Sequence, residues 1–460
     1  MVDDILEVAK PAAQRLKEYN GSIRLIGQYD ADGISATAIA HRMLERLDKE
    51  FEYEIVKQLY EEDIERIADE DQDLLVFVDI GSGQSELIKE HILETTGKKV
   101  IISDHHEPAL ESGESEGLEN LIHMNPHYLG HDGGEAISAA GMTYLLSKAV
   151  SKDNTDLIQF ALIGATGDVQ KQEGEFIGLN KDLAEEAIEN SYVEKRQGLD
   201  LYGRTTKSLQ KSLMYTTDPH LEGVSNNESG AIQLVKSSGL NIRDNGDFRT
   251  LADLTPEEEK KLIHTMIKRG FPVQHLLNDI YTLGNGYEID EFSTIINACG
   301  RLGEPKKGVK ILLENDLNLA EKISRKYGRR ISSALGYVDK NRGNKDVIYE
   351  KDIGVIDGKD EISDDFIGTV TTITMSNGHF DAPVVMGIAE AEKDKMKVSS
   401  RATKEIVEKG LNLGEIIGEI CEEVNGEGGG HNIAAGAKIP REKKQAFINM
   451  LDSKIEEEMT

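Results

Sequence analysis

Three short apolar stretches in the first quarter of the chain each run straight into an aspartate. SIRLIG (22–27) leads into QYDADG, DLLVFVDI (73–80) carries Asp79 near its end, and KKVIIS (98–103) opens DHHEP. Unbroken apolar runs of this length, separated by helix-like segments such as ISATAIAHRMLERL, predict parallel strands buried on both faces. The helix-like segment Glu135–Val150 and the run Ile158–Ile163, read as a further strand, complete the pattern. The expected class is α/β: a parallel sheet with helices on both faces. Ligands of such sheets bind beyond the carboxyl ends of the strands.

That edge is where the polar residues collect. Asp30 and Asp32 follow the first run, Asp79 ends the second, Asp104, His105 and His106 follow the third, and Asp168 follows IQFALIGATG. One aspartate at a strand end is ordinarily a helix cap or a turn former. Four strand ends that all carry carboxylate or imidazole predict a site. Five of the twelve histidines (105, 106, 123, 127 and 131) fall close together, although His123 and His131 read equally well as structural or surface residues. Oxygen and nitrogen donors without a thiolate suit Mn²⁺ or Mg²⁺, and less clearly Zn²⁺ or Fe²⁺. Crowded carboxylates repel unless cations neutralise them. Two cations about 3.5–4 Å apart would do so while clamping a phosphoryl displacement.

Composition narrows the partners. Among 460 residues, 84 acidic against 53 basic side chains leave a formal charge of −31, which excludes binding to nucleic acid by bulk charge. A polyanion must then be met by a local basic groove or by bound metal. Lys306, Lys307, Lys310, Arg325, Lys326, Arg329 and Arg330 are candidates for such a groove, and equally for solvated helix faces. With 38% hydrophobic and 30% charged residues, global disorder is excluded. Cys299 and Cys421 are too few for a disulfide scaffold or a cysteine-only zinc site and fit a reducing cytoplasm. No run approaches the roughly 20 apolar residues of a membrane span. The acidic start lacks the order of a signal peptide, so a cytoplasmic location with no membrane partner is expected. Neither a Walker A loop nor GxGxxG after a strand occurs. With 5% aromatic residues and no tryptophan, no extended base-stacking platform is evident.

QYDADG, VFVDIG, SDHHEP, NPHYLGHDGGEAISAAG and ATGDV resemble, in order, the motifs of the DHH phosphoesterase superfamily. KVSSRAT (Lys397–Thr403) and GEGGGHNIAAGA (Gly426–Ala437) resemble its partner domain, DHHA1. The middle segments Tyr215–Ala231 and Ile295–Pro305 are similar to the archaeal RecJ-like branch, which includes the GINS-associated nuclease. The resemblance implies a DHH catalytic domain over 1–204, a mainly helical inserted region over 205–345 and a smaller α/β DHHA1 domain over 346–460.

It also implies roles. Asp30, Asp32, Asp79, His105 and Asp168 match metal positions, with Asp79 between the ions, and His106 matches a position that helps hold the metals or the scissile phosphate. Asp104 is expected to orient a histidine by hydrogen bonding. Asn125 and His127 match an element near the phosphate. Arg401, Gly428, Gly429, Gly430 and His431 match the substrate-binding part, where the glycines form an anion nest or an ordinary flexible turn. Gln28 stands where many relatives carry His or Asp.

The activity implied is a two-metal exonuclease, Mn²⁺- or Mg²⁺-dependent, that releases mononucleotides from single-stranded DNA or RNA lying between two lobes. A place in DNA replication or repair follows. The expected polarity on DNA is 5′→3′. The same superfamily offers two rival readings: a Cdc45-like scaffold that binds GINS and the replicative helicase, and an oligoribonuclease or pAp phosphatase.

Overall fold

The apolar runs become strands because each side chain is covered from above or below. The structure, a computed structural model, describes residues 2–458 except 173, 217, 218, 245, 345 and 346. Thr217 and Asp218 of the Tyr215–Ala231 segment therefore lie outside the described residues. Five parallel strands, β1 (Ile23–Gln28), β2 (Phe51–Val56), β3 (Leu74–Val78), β4 (Lys99–Ser103) and β5 (Leu121–Met124), lie in the order β2-β1-β3-β4-β5.

Alternation along the strands divides their side chains between two layers. Ile26, Phe77 and Ile102 share one core with Ile64, Ile67, Ile88 and Ile92. Leu25, Val76 and Ile101 are just as buried. Their layer contains α1 (Val2–Glu18), α2 (Ala31–Arg46) and α3 (Ala139–Val150), which pack on β5, on β1 and on β3 and β4 respectively. Helices thus cover both faces.

One expected strand is a helix. Ile158–Gly167 forms α4, packed between α2 and α3, so Asp168 caps a helix C-terminus and only three strand ends supply the site. A run apolar on every side satisfies a fully buried helix as well as a buried strand. The segment Glu135–Val150 is divided: a short turn of helix, Gly133–Ala136, ends before Ser138, whose side chain caps α3.

By compactness the chain forms two units, residues 1–324 and 325–460, with the boundary inside the helix Leu317–Lys340. Unit 1 also contains the antiparallel pair Val193–Leu199 and Leu277–Leu283 and a separate apolar cluster that includes Leu209, Leu213, Leu234 and Leu262. Unit 2 has a six-stranded mixed sheet. Its order is Ile348–Glu350, Ile353–Asp357, Val384–Glu390, Lys395–Ala402, Ala434–Pro440 and Glu427–Gly430. Gly428, Gly429 and Gly430 are therefore not a flexible turn. They form an edge strand paired with Ala434–Pro440 and covered by the helix Leu413–Val424.

Candidate metal centre

The strand order reverses direction between β1 and β3, the point in such sheets beyond which ligands bind. Asp30 follows β1 as the N-cap of α2, its Oδ1 accepting from the Gly33 amide at 3.0 Å. Asp32, in the first turn of α2, is 3% exposed. Its Oδ2 and Oδ1 accept from the Ala139 and Ala140 amides, at 2.7 and 3.0 Å, at the N-terminus of α3. Free N–H groups and the helix dipole favour an anion there. Gly164 of α4 makes room for this carboxylate, since a Cβ at that position would lie 2.3 Å from Asp32 Oδ1.

Asp79 follows β3 at φ +59°, in the left-handed region, with its amide bonded to the Ser103 carbonyl. Asp104 follows β4 and is fully buried. Its Oδ2 accepts from the Ser82 amide at 3.0 Å, and its Oδ1 from the amides of His105 (2.8 Å) and His106 (3.3 Å). The same Oδ1 lies 2.8 Å from His106 Nδ1.

The structure brings these groups together. His105 Nε2 lies 3.6 Å from Asp79 Oδ1 and 3.9 Å from Asp32 Oδ2, and His105 Nδ1 lies 3.6 Å from Asp168 Oδ2. Two donor sets are compact enough for a cation, Asp32–His105–Asp168 and Asp79–Asp104–His105–His106, and they share His105. Asp30 lies beside both: its charge acts on Asp32, Asp79 and His106.

Crowding sets the proton affinities. Burial, followed by the charges of Asp30, Asp32, Asp104 and Asp168, holds Asp79 well above the usual carboxylate range. Burial also pushes Asp32 up to about 7; His105 opposes it, and Asp168 and Asp30 add to it. Asp168 is raised chiefly by burial. Asp104 goes the other way: burial is outweighed by the hydrogen bond to His106, the charges of His106 and His105 and the Ser82 amide. His106 is pushed up to about 9; burial opposes the rise, and Asp104 and the neighbouring carboxylates drive it.

A divalent cation fits these residues. Asp79 Oδ1 and His105 Nε2 are buried without a hydrogen-bond partner among the described residues, an arrangement folded proteins avoid unless something else satisfies the atoms. All donors are carboxylate oxygen or imidazole nitrogen, the set suited to Mn²⁺ or Mg²⁺.

Several residues that sequence reasoning passed over support this cluster. Gln170 Nε2 donates to Asp168 Oδ2 (2.8 Å) and to the Gly133 carbonyl (2.9 Å), and Asn180 donates to Gln170 Oε1 at 2.6 Å. Ser82 Oγ accepts from Asn125 (2.9 Å) and lies 2.7 Å from His123 Nε2. Nothing local in the sequence marks Ser82, Gln170 or Asn180. Asn125 also donates to the His106 carbonyl at 2.8 Å, and the Gly133 amide donates to His127 Nε2 at 3.3 Å. His123 is buried against Tyr128, and burial lowers it to about 4. His131 is partly exposed and bonds through its amide to the Pro126 carbonyl.

Arg401 and the glycine strand belong to unit 2. Arg401 pairs in register with Ala434 and donates to Thr372 Oγ1 (3.0 Å) and the Ser400 carbonyl (2.8 Å). The exposed His431 donates its amide to the Ala434 carbonyl, which puts it in the hairpin beside Arg401.

Comparison with known proteins matches the same segments. The model of the DHH family N-terminal domain covers residues 22–166, the DHH-CID domain 201–280 and the DHHA1 domain 359–457. An uncharacterized protein of Methanocaldococcus jannaschii is 30% identical over 99% of this chain and 98% of its own length. The single-stranded-DNA-specific exonuclease RecJ of Bacillus subtilis is 23% identical over 94% of this chain, which spans only 46% of that enzyme. Among solved structures, Thermus thermophilus RecJ in complex with Mn²⁺ superposes with a TM-score of 0.58 and 19% identity, over 98% of this chain and 55% of that one. Cdc45 of Entamoeba histolytica gives 0.63 with 14% identity, over 99% of each chain. These two likenesses establish a shared fold. No helix among the described residues is long and apolar enough to cross a membrane.

Proposed function

The chain belongs to the DHH/DHHA1 superfamily as a RecJ-like member, and from that premise we propose that it is a divalent-metal-dependent phosphodiesterase removing nucleotides from the end of single-stranded DNA or RNA. The observation that carries the reading is the pair of unpartnered buried atoms, Asp79 Oδ1 and His105 Nε2, amid carboxylates that burial and mutual repulsion force upward in pKa.

We assign Asp30, Asp32, Asp79, His105 and Asp168 as the residues that would hold the cations. Bound there, Mn²⁺ or Mg²⁺ would neutralise the carboxylates, polarise the phosphate and lower the pKa of an attacking water. The protein's own groups do the positioning. Asp104, 2.8 Å from His106 Nδ1, orients the ring and favours its protonated form, in which His106 would meet the negative charge that grows on the phosphoryl oxygens. Asn125 holds the His106 backbone, and Gln170 orients Asp168. Arg401 and His431 are assigned to the strand's phosphates, as the RecJ relative's substrate suggests.

End-labelled DNA and RNA oligonucleotides, each labelled at 5′ or 3′, test this with Mn²⁺. The expected result is stepwise mononucleotide release, 5′→3′ on DNA, abolished in Asp79→Ala. Retained activity in that variant overturns the assignment. Comparison of a 2-mer with a 30-mer separates this reading from a short-oligonucleotide or pAp hydrolase, which favours the shorter substrate.

The end-to-end fold likeness to Cdc45 favours a second reading, a replication scaffold that binds GINS and the replicative helicase. A complete set of acid and imidazole donors is unnecessary for scaffolding. If Asp79→Ala still captures GINS in a pull-down, the scaffold role exists alongside cleavage or in place of it.

A further inference from the structure

The helix α4 ends on a residue poorly suited to the backbone it adopts. Beyond Asp168, the Gln170 amide donates to the Ala165 carbonyl at 2.9 Å and the Val169 amide to the Thr166 carbonyl at 3.3 Å, the Schellman pattern of helix ends. That pattern needs one residue in the left-handed region, and here it is Val169, at φ +60°. Glycine, or sometimes asparagine, is usual at this position. A β-branched side chain there crowds its own backbone.

The fold does not recover that cost by packing the side chain, since Val169 is 78% exposed. Its neighbours, by contrast, are fixed. Gly167 is pressed against α2, where a Cβ would come within 2.4 Å of the Ala31 side chain. Gln170 is fully buried and bonded to Asp168, the Gly133 carbonyl and Asn180. Val169 is therefore held from both sides with its methyl groups in solvent. Strain of this kind persists only where the surroundings impose it, and it clusters at sites that meet ligands.

What lies beside Val169 gives the ligand. The side chains of Asp32, Asp79, Asp104 and His105 are at most 5% exposed, whereas Asp168 is 32% and His106 48% exposed. The metal centre is thus open to solvent on the side of Asp168 and His106, and a phosphate enters it from there. Val169 follows Asp168 directly, their Cα atoms about 3.8 Å apart. It stands at the rim of that opening as an apolar group between Asp168 and Gln170.

We propose that Val169 is a substrate-binding residue: the base of the terminal nucleotide packs on its methyl groups while the phosphate linking that nucleotide to the strand lies in the metal centre. This rests on the phosphodiesterase reading above and adds to it the part of the substrate recognised outside the phosphate. Sugar and phosphate are polar, and every base has an apolar face. Removing apolar surface from water has no directional requirement, so any base is accepted at the strand end, and an end without a base is bound less tightly.

The test uses the full chain with Mn²⁺ and two 30-mers, one normal and one with an abasic residue at the end that the native chain degrades. For the native chain, KM at the terminal linkage should be about fivefold higher on the abasic strand. Val169→Asn suits the left-handed backbone but offers no methyl groups. It should raise KM on the normal strand about fivefold and leave KM on the abasic strand as it was, while Val169→Ile should behave like the native chain. In urea with chelator the asparagine variant should unfold at the same or a higher concentration than the native chain, because strain is relieved. A merely structural role would lower that midpoint and change both strands alike. Equal KM values for the two strands on the native chain, or an unchanged KM on the normal strand in Val169→Asn, overturn the base contact alone. If the native chain cleaves neither strand, the phosphodiesterase reading fails and the contact falls with it.

Discussion

Asp79 Oδ1 and His105 Nε2 face each other at 3.6 Å, beyond hydrogen-bonding reach, although both are buried at the carboxyl end of the central strands. Folding has thus gathered charge at a point where the polypeptide alone does not neutralise it. Such a centre trades stability without metal for affinity toward a cation, since whatever binds only the folded state stabilises it.

The first prediction concerns that trade. Asp79→Asn removes one of the repelling charges and keeps the shape. In chelator, urea unfolding should show unit 1 stabilised by on the order of 1 kcal/mol. The rise in melting temperature that Mn²⁺ gives the native chain should largely disappear, and hydrolysis should fall at least a hundredfold. A chelator-state stability below that of the native chain contradicts the argument.

Asp104 behaves oppositely, because its charge is satisfied. Asp104→Ala strips partners from the amides of Ser82, His105 and His106 and from the His106 ring. Leaving such groups buried should cost on the order of 3 kcal/mol in urea unfolding. Cation affinity or activity should drop by about 10–100-fold through loss of positioning. Asp104→Asn keeps an acceptor oxygen and should lose less stability than the alanine variant; equal losses would contradict this account.

Stability should also depend on pH away from the metal centre. Burial pushes Glu291 up to about 7 from an ordinary 4.5; the Thr205 and Thr206 amides and Lys207 act against the rise, and Glu288 adds to it. An acid raised on folding contributes stability that is fully present below its unfolded pKa and lost as pH rises through the folded value. Denaturation midpoints in chelator should therefore fall between about pH 4.5 and 7 on this account. Glu291→Gln should flatten that decline by on the order of 2 kcal/mol. Parallel pH profiles for the two proteins would rule the effect out.

How far the site could be read in advance follows from where each group gets its position. Asp30, Asp79 and Asp104 sit directly after apolar runs, so strand direction alone places them on one edge. Asp168 reaches that edge from α4, and IQFALIGATG is apolar on all sides, which hides its helical period. The edge strand β2, FEYEIV, alternates charge with half-buried side chains and has no apolar run to announce it. Four-residue β5 is too short to stand out. Ser82, Gln170 and Asn180 are ordinary polar residues until tertiary contacts join them to the cluster. The three glycines at 428–430 suggest looseness, yet pairing with Ala434–Pro440 holds them extended. Patterns of burial are local and legible; hydrogen-bond partners distant in sequence are not.

Gln28 provides the last prediction. Its amide nitrogen donates to Asp79 Oδ2 at 3.0 Å and to Asp30 Oδ2 at 2.9 Å, the orientation fixed by the fact that its oxygen would otherwise face only carboxylates. A neutral donor between two acids offsets part of their repulsion. Gln28→Glu exchanges that donor for another negative charge. Without cations the variant should lose on the order of 2 kcal/mol in urea unfolding. With Mn²⁺ the loss should shrink, because the added carboxylate increases the charge available to neutralise the ions. The thermal shift on adding Mn²⁺ should accordingly exceed that of the native chain. If chelator and Mn²⁺ give the same difference between the two proteins, Gln28 does not act on the metal centre, and its contacts with Asp30 and Asp79 serve only to pack the loop after β1.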